Sequence, residues 1–192
     1  VDPATRRPIS PREPMTYYSA PGPIGLVFSA IGTPKNVAAV GLGTGAIAAY
    51  AGAGQRFTFF EIDPVVQKIA EDDRFFCYLR DARKRQAEVA VRLGDARLTL
   101  AREAARAFDL LVLDAFSSDA VPVHLLTREA VALYVSRLAP SGWIAFHVTN
   151  RHLRLAPVLA ALARDGGLAG VVIDDANEGA SDEGRLLETP SL

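Results

Sequence analysis

Short apolar runs alternate along the chain with segments in which apolar residues recur every three or four positions. Continuous apolar runs are typical of strands buried on both faces of a sheet, and the longer period is typical of helices that cover them. The alternation predicts an α/β domain with a doubly wound, mostly parallel sheet, because right-handed crossovers leave few other topologies. The predicted strands are residues 36–42, 56–63, 88–95, 108–116, 141–150 and 167–175.

Helices are predicted between these strands. Pro64 follows Asp63 at a helix start, where the missing N–H of proline costs nothing, and Thr127 is a suitable cap for a later helix. Tyr134 and Trp143 are expected in the core. The predicted helices are residues 46–51, 64–73, 96–105, 127–138 and 153–165.

The composition divides the chain into three parts. Residues 1–15 are rich in proline and arginine and are expected to form an arm or linker, residues 16–176 the folded domain, and residues 177–192 a polar tail. With 192 residues, 49% of them hydrophobic, the domain is large enough to bury a core. Because the first residue is Val1, we expect the chain to be part of a longer protein, whose other parts could attach it to a membrane.

Charge and cysteine content narrow the classes of function. The formal net charge is -1, so nucleic acid and anionic lipid are not expected as partners. The uncharged, mostly apolar run over residues 37–54 contains five glycines and mixed strand and helix signals, so no membrane insertion is expected. Cys77 is the single cysteine, which favours a reducing, cytoplasmic compartment, and the histidines show no metal-ligand spacing.

Ligands of an open parallel sheet bind beyond the carboxyl ends of its strands. The loop after the first predicted strand, Gly41-Leu42-Gly43-Thr44-Gly45-Ala46, fits both the dinucleotide fingerprint and the G-x-G-x-G pattern of enzymes that bind S-adenosyl cofactors. Glu61 lies 20 residues after Gly41, at the spacing where a carboxylate meets ribose hydroxyls. Together these residues predict a nucleoside site.

The third and fourth strand ends favour the S-adenosyl ligand. Asp95, followed by Ala96, could accept a hydrogen bond from an adenine amino group, or could cap the next helix, and one side chain could do both. Asp114 and Asp119 add two carboxylates after the fourth strand, where a nicotinamide enzyme has no fixed need for them. Asn150 ends the fifth strand as a candidate substrate contact, whereas His147 is expected to be an interior group and His124 to line the cleft or cap a helix.

Five segments together resemble the spermidine synthase family, in particular its bacterial spermidine synthase-like branch. They are VGLGTGA, FTFFEID, RLGDAR, FDLLVLDAFSSDAVPVHLL and AFHVTNR. The resemblance covers roughly residues 17–173 and implies a Rossmann-like fold of the class I S-adenosylmethionine methyltransferase type. It also implies that a last strand of that fold is missing here, since no apolar run able to form it follows Asp175.

The resemblance implies a reaction and a site. The reaction is transfer of an aminopropyl group from decarboxylated S-adenosylmethionine to a polyamine such as putrescine, without a metal. Glu61 would bind the ribose and Asp95 and Ala96 the adenine, and the other cofactor-binding candidates are Ile62, Gly41, Gly43, Thr44 and Gly45. Asp114 would lie near the reacting centre, and Tyr17 and Tyr18 would lie beside the amine. Because an amine must lose a proton before it attacks, Asp119 is the candidate base. The partners expected are a small amine and a second copy in a homodimer.

Two departures from the family pattern leave alternatives open. Thr44 stands where active aminopropyltransferases have an aspartate, and threonine there is common in methyltransferases. The spacing between Asp114 and Asp119 is wider than in the family, and Asp119 could belong to a solvated turn. A methyltransferase that uses S-adenosylmethionine is therefore one alternative, and a non-catalytic nucleoside-binding domain of a larger membrane protein is another.

Overall fold

The computed structural model describes residues 13–116, 121–148 and 154–173. Its centre is a sheet of five parallel strands in the order β3-β2-β1-β4-β5. The strand order reverses at β1, which places the predicted ligand site at the carboxyl ends of β1 and its neighbours. The strands are β1 (Asn36–Val40), β2 (Arg56–Glu61), β3 (Glu88–Leu93), β4 (Phe108–Leu113) and β5 (Leu138–Phe146).

Helices connect the strands and cover both faces of the sheet, as a doubly wound fold requires. The α-helices are α1 (Pro23–Ile31), α2 (Pro64–Glu71), α3 (Tyr78–Lys84), α4 (Ala96–Leu100), α5 (Arg128–Arg137) and α6 (Leu155–Asp165). Short 3₁₀ helices span Thr16–Tyr18, Ala46–Tyr50 and Val123–Leu126. None of the helices in the described ranges is both long and apolar enough to span a membrane.

The core has two layers because side chains alternate between the faces of each strand. On β1, Val37 and Ala39 belong to a cluster with residues of α1, α2 and α3, whereas Ala38 and Val40 belong to a second cluster with residues of α4 and α5. Tyr134 of α5 is fully buried in the second cluster, which confirms its predicted place in the core.

Two predicted helix starts are confirmed by their caps. The Asp63 carboxylate accepts a hydrogen bond from the Val65 N–H at 2.8 Å, with Pro64 in the first turn. The Thr127 hydroxyl accepts one from the Ala130 N–H at 3.2 Å. Each cap provides a partner for a backbone donor that the first helical turn leaves unpaired.

Some predicted elements are shorter than expected. Residues 46–50 form a 3₁₀ turn and not an α-helix, because Gly45 is left-handed before it and Ala51 is extended after it. The helix predicted over residues 96–105 ends at Leu100. A turn follows at Arg106, whose φ is 58° and whose N–H donates to the Ser136 carbonyl before β4 begins.

The predicted sixth strand and the predicted burial of Trp143 are wrong. Residues 167–173 form no strand, and Val171, Val172 and Ile173 are exposed. A strand needs a neighbour for its N–H and C=O groups, and in the described part of the chain this segment pairs with none. Trp143 is 52% exposed because it lies on β5, the edge strand of the described sheet.

Candidate functional site

Four residues line up in one row across the carboxyl ends of neighbouring strands. The register pairs Val40 of β1 with Phe60 of β2 and Leu113 of β4, and pairs Leu113 with Phe146 of β5. One residue further along, the backbone hydrogen bonds between the strands continue at 2.8 to 2.9 Å. Their donors are the N–H groups of Gly41, Asp114 and His147, and their acceptors are the carbonyl oxygens of Phe60, Val40 and Leu113, respectively. The next residues are therefore neighbours, and we name them the strand-end row: Glu61, Gly41, Asp114 and His147.

Gly41 leaves a gap in the middle of the strand-end row. Its φ is 94°, and a Cβ built on it would lie 2.4 Å from the Asp114 carbonyl oxygen. Glu61 and Asp114 lie on the strands to either side of β1, so their backbones are roughly 10 Å apart at the usual strand spacing. Two carboxylates thus face the same side of the sheet across a position without a side chain.

Glu61 is held in place by the backbone. It is 8% exposed; its Oε2 accepts the Leu42 N–H and its Oε1 the Asp63 N–H, each at 2.9 Å. A carboxylate has about four acceptor positions, so two remain for hydroxyl groups of a ligand. This geometry suits the pair of hydroxyls on a ribose.

The glycine loop after β1 leaves backbone accessible beside Glu61. Gly43 is exposed with a φ of 52°, and a Cβ there would meet no atom within 4 Å. Gly45, with a φ of 79°, instead lies against the Leu79 side chain of α3, which anchors the far end of the loop. Thr44, between these glycines, is half-buried. The loop can therefore approach a nucleoside closely, which a larger side chain would prevent.

Asp95 caps α4, which confirms one of its two predicted roles. Its Oδ1 accepts the Leu98 N–H at 3.1 Å, and its Oδ2 lies 3.8 Å from the His124 Nε2. Its side chain is about one-third exposed, and Ala96 next to it is half-buried. Ile62, after β2, is largely exposed and offers apolar surface to an adenine ring. A role for these residues in adenine binding stays a prediction.

Asp114 has protein partners on both of its oxygens. The Tyr18 hydroxyl donates to Oδ2 in a short hydrogen bond, and the His147 Nδ1 lies 2.7 Å from Oδ1. The side chain of Asp114 is only 4% exposed and that of His147 is 18% exposed. Burial, and then the negative charge of Asp114, raise the pKa of Tyr18, so the hydroxyl keeps its proton and remains a donor.

Aromatic rings surround the histidine of this cluster. The centroids of Tyr17 and Phe116 lie 4.3 and 4.7 Å from that of His147. Tyr50 orders the 3₁₀ helix Thr16–Tyr18, which we name the tyrosine turn, because its hydroxyl donates to the Tyr18 carbonyl at 2.6 Å and its ring stacks on Phe28 of α1. The structure thus brings the predicted Tyr17 and Tyr18 to Asp114, although 96 residues separate Tyr18 from that carboxylate.

His147 is the site residue that the sequence interpretation missed. The sequence predicts a buried histidine whose hydrogen bonds are made within the core. In the structure His147 is half-buried at the carboxyl ends of the strands and contacts Asp114. The sequence feature that could have identified it is its position directly after Ala145 and Phe146, the last two apolar residues of β5. Using that signal requires the register between β4 and β5, which the sequence does not state.

Two candidate residues, Asp119 and Asn150, lie outside the described residues, and their roles stay predictions. Within the described ranges, no three His, Cys, Asp or Glu side chains are grouped as metal ligands.

The architecture is that of class I methyltransferases. A SAM-dependent methyltransferase from Archaeoglobus fulgidus superposes with a TM-score of 0.57 at 14% identity, over 85% of this chain and 76% of that one. A spermidine synthase in complex with the transition-state analogue AdoDATO gives a TM-score of 0.49 at 20% identity, over 60% of this chain and 39% of that one. The first of these likenesses confirms the predicted fold.

In sequence the chain is similar to an aminopropyltransferase. It is 32% identical over 123 residues to the polyamine aminopropyltransferase of Vibrio vulnificus (strain CMCP6), a match that covers 62% of this chain and 38% of the relative. The chain therefore spans well under half the length of that relative. No family model matches the chain. The similarity agrees with the predicted resemblance to spermidine synthases.

Proposed function

We propose that this domain transfers an aminopropyl group from decarboxylated S-adenosylmethionine to a polyamine such as putrescine. The observation that carries the proposal is the strand-end row, in which Glu61 and a Tyr18-bonded Asp114 flank the gap at Gly41. The similarity to a polyamine aminopropyltransferase supports the same reaction. Both donor and acceptor carry positive charge, and carboxylates at the strand ends provide the complementary charge.

The nucleoside half of the site is formed by β1, β2 and the segment after β3. Glu61 would accept the ribose hydroxyls, the loop from Gly41 to Gly45 would cover the nucleoside, and Asp95 with Ala96 and Ile62 would contact the adenine. When bound, the donor supplies an electrophilic methylene carbon next to its sulfonium. The residues of the chain fix the position of that carbon relative to the amine, which by itself lowers the barrier of a two-substrate reaction.

The amine half of the site is formed by β4 and the tyrosine turn. Asp114 would attract the amine cation, and Tyr17 and Tyr18 would shape the channel that leads to it. Outside the described residues, Asp119 is a candidate base and Asn150 a candidate substrate contact. An amine attacks only after it has lost a proton, so the site needs a proton acceptor in addition to a binding carboxylate.

Product release provides the direct test of the reaction. The protein is incubated with decarboxylated S-adenosylmethionine and putrescine, and methylthioadenosine is measured by chromatography. We expect release that depends on both substrates, with S-adenosylmethionine as a poor donor. If putrescine and a panel of longer polyamines all fail to release methylthioadenosine, the proposed reaction is wrong.

Thr44 favours a second candidate, a methyltransferase that uses S-adenosylmethionine. A threonine cannot pair with the aminopropyl ammonium group as the aspartate of active aminopropyltransferases would. Calorimetric titration separates the two functions: the methyltransferase requires S-adenosylmethionine to bind more tightly than its decarboxylated form, and the aminopropyltransferase requires the reverse.

Replacing Glu61 by Gln is expected to weaken methylthioadenosine binding roughly 10- to 100-fold, because hydrogen bonds to a charged acceptor contribute about 1.5–3 kcal/mol. Calorimetry measures the affinity, and thermal unfolding checks that the variant is folded. Glu88→Gln is the control. Glu88 lies at the exposed start of β3, where its carboxylate pairs with Arg56 of β2. An unchanged affinity in Glu61→Gln would remove Glu61 from the nucleoside site.

A further inference from the structure

His147 extends the strand-end row beyond Asp114 and completes an acid–imidazole pair. The His147 N–H donates to the Leu113 carbonyl at 2.9 Å, and this hydrogen bond fixes the backbone of His147 beside that of Asp114. Its Nδ1 lies 2.7 Å from the Asp114 Oδ1. The contacts with Tyr17 and Phe116 restrict rotation of the ring. The imidazole is therefore held in one orientation by the sheet, a carboxylate and two aromatic rings.

The contact with Asp114 selects the tautomer of the imidazole. An ionised carboxylate only accepts hydrogen bonds, so the Nδ1 beside it carries a hydrogen. In a neutral imidazole the other nitrogen, Nε2, then holds the lone pair that can take up a proton. A buried carboxylate that orients an imidazole in this way is the arrangement of the histidine general base in Ser-His-Asp triads.

The same contacts make Asp114 less suited to accept the proton itself. Each of its oxygens already accepts a hydrogen bond, from Tyr18 and from His147, and its side chain is almost fully buried. His147 is more exposed than Asp114 and can reach a bound molecule more easily. The cluster thus separates two tasks, orientation by the carboxylate and proton transfer by the ring.

We propose that His147, oriented by Asp114, is the general base that removes a proton from the amine substrate. The proposal rests on the proposed function, because it requires an amine acceptor. It assigns a catalytic role to His147 in place of Asp119. Tyr18 and Asp114 become positioning residues for the imidazole.

Proton transfer to His147 precedes the attack of the amine. The Nε2 of His147 takes one proton from the ammonium group of the acceptor, which leaves a neutral amine with a lone pair. The amine nitrogen then forms a bond to the methylene carbon beside the sulfonium as the carbon–sulfur bond breaks. The electron pair of that bond stays on sulfur, and the products are a secondary ammonium group, a neutral thioether and an imidazolium.

The surroundings of His147 determine the expected pH dependence. Among the described residues, the titratable groups beside it include Asp114 and Tyr17, and Tyr18 contacts the other oxygen of Asp114. Burial is the main cause that raises the pKa of both tyrosines, so they stay neutral over the working range of an imidazole. A base must be unprotonated to act, so kcat/KM should fall as the pH decreases, and this acidic limb of the profile should depend on His147.

An NMR titration tests the proposal without turnover. The chain has three histidines, and the imidazole signal of His147 is assigned by its loss in His147→Asn. With methylthioadenosine bound throughout, saturating putrescine should change the imidazole chemical shifts of His147, because the proposal places the ammonium group against the ring. The imidazole signal of His124, which lies near Asp95, should not respond to putrescine. A His147 signal that does not respond to putrescine overturns the proposal.

Kinetics with three variants separates the candidate bases. His147→Asn keeps a donor near Asp114 but has no base, so kcat should fall about 10²- to 10⁴-fold and the acidic limb of the kcat/KM profile should disappear. His124→Asn should keep that limb. If the limb survives in His147→Asn and is lost in Asp119→Asn, Asp119 is the base and the proposal is wrong.

Failure of the proposed function and failure of the role of His147 give different experimental results. If decarboxylated S-adenosylmethionine is not consumed but the NMR titration still shows the putrescine-dependent change in the His147 signal, the aminopropyl donor is wrong and the role of His147 toward an amine is supported. If methylthioadenosine is released at wild-type rates by His147→Asn, the proposed function is supported and the role of His147 is refuted.

Discussion

Asp114→Asn is expected to lower kcat/KM for aminopropyl transfer by about 10²- to 10⁴-fold while leaving methylthioadenosine affinity nearly unchanged. Asparagine has the shape of aspartate but only one acceptor oxygen. Its amide NH₂ must face either the Tyr18 hydroxyl or the His147 Nδ1, which both donate at present. The imidazole then loses its preferred tautomer or its orientation, and the attraction for the amine cation is lost as well. Steady-state kinetics and calorimetry on the same preparations measure the two effects.

The matched control for this variant is Asp109→Asn. Asp109 lies on the same strand, β4, and its Oδ2 accepts the Asn36 N–H at 2.8 Å. Asparagine can keep that single hydrogen bond through its remaining oxygen, and the residue lies at the opposite end of the strand. We expect Asp109→Asn to transfer the aminopropyl group at close to the wild-type rate. Asp114→Asn retaining a third or more of the activity would exclude Asp114 from the reacting centre.

Gly41→Ala is expected to lower the free energy of unfolding by about 2–5 kcal/mol. Two costs add at this position. The φ of 94° is strained for alanine, and the new methyl group would lie 2.4 Å from the Asp114 carbonyl oxygen, so the backbone of β1 or β4 must move. The movement would also disturb the gap between Glu61 and Asp114, so methylthioadenosine affinity should fall. Urea denaturation monitored by circular dichroism measures the loss of stability.

Gly54→Ala separates the steric clash from the backbone strain. Gly54 has a φ of 75°, but a methyl group there would meet no atom within 4 Å. Its substitution should therefore cost only the backbone strain, about 1–2 kcal/mol, and should leave ligand affinity unchanged. Equal destabilisation by the two variants would show that the clash with the Asp114 carbonyl oxygen adds nothing to the cost of Gly41→Ala.

Much of this domain can be predicted because the relevant physics is local. The apolar runs of β1, β2 and β4 and the caps at Asp63 and Thr127 depend on residues close in sequence. Parallel strands end at the same edge of a sheet, so the amino-acid sequence alone is enough to expect Glu61, Gly41 and Asp114 near one another.

The remaining features depend on contacts between distant segments. The sequence by itself determined the fold class, the strand ends and the carboxylates placed there. Only the tertiary structure decided that β5 lies at the edge of the described sheet, which exposes Trp143. It also decided the register that sets His147 beside Asp114 and the docking of Tyr18 on that carboxylate. Register and strand order are set by packing across the whole sheet, and a one-residue shift would turn the His147 side chain to the opposite face.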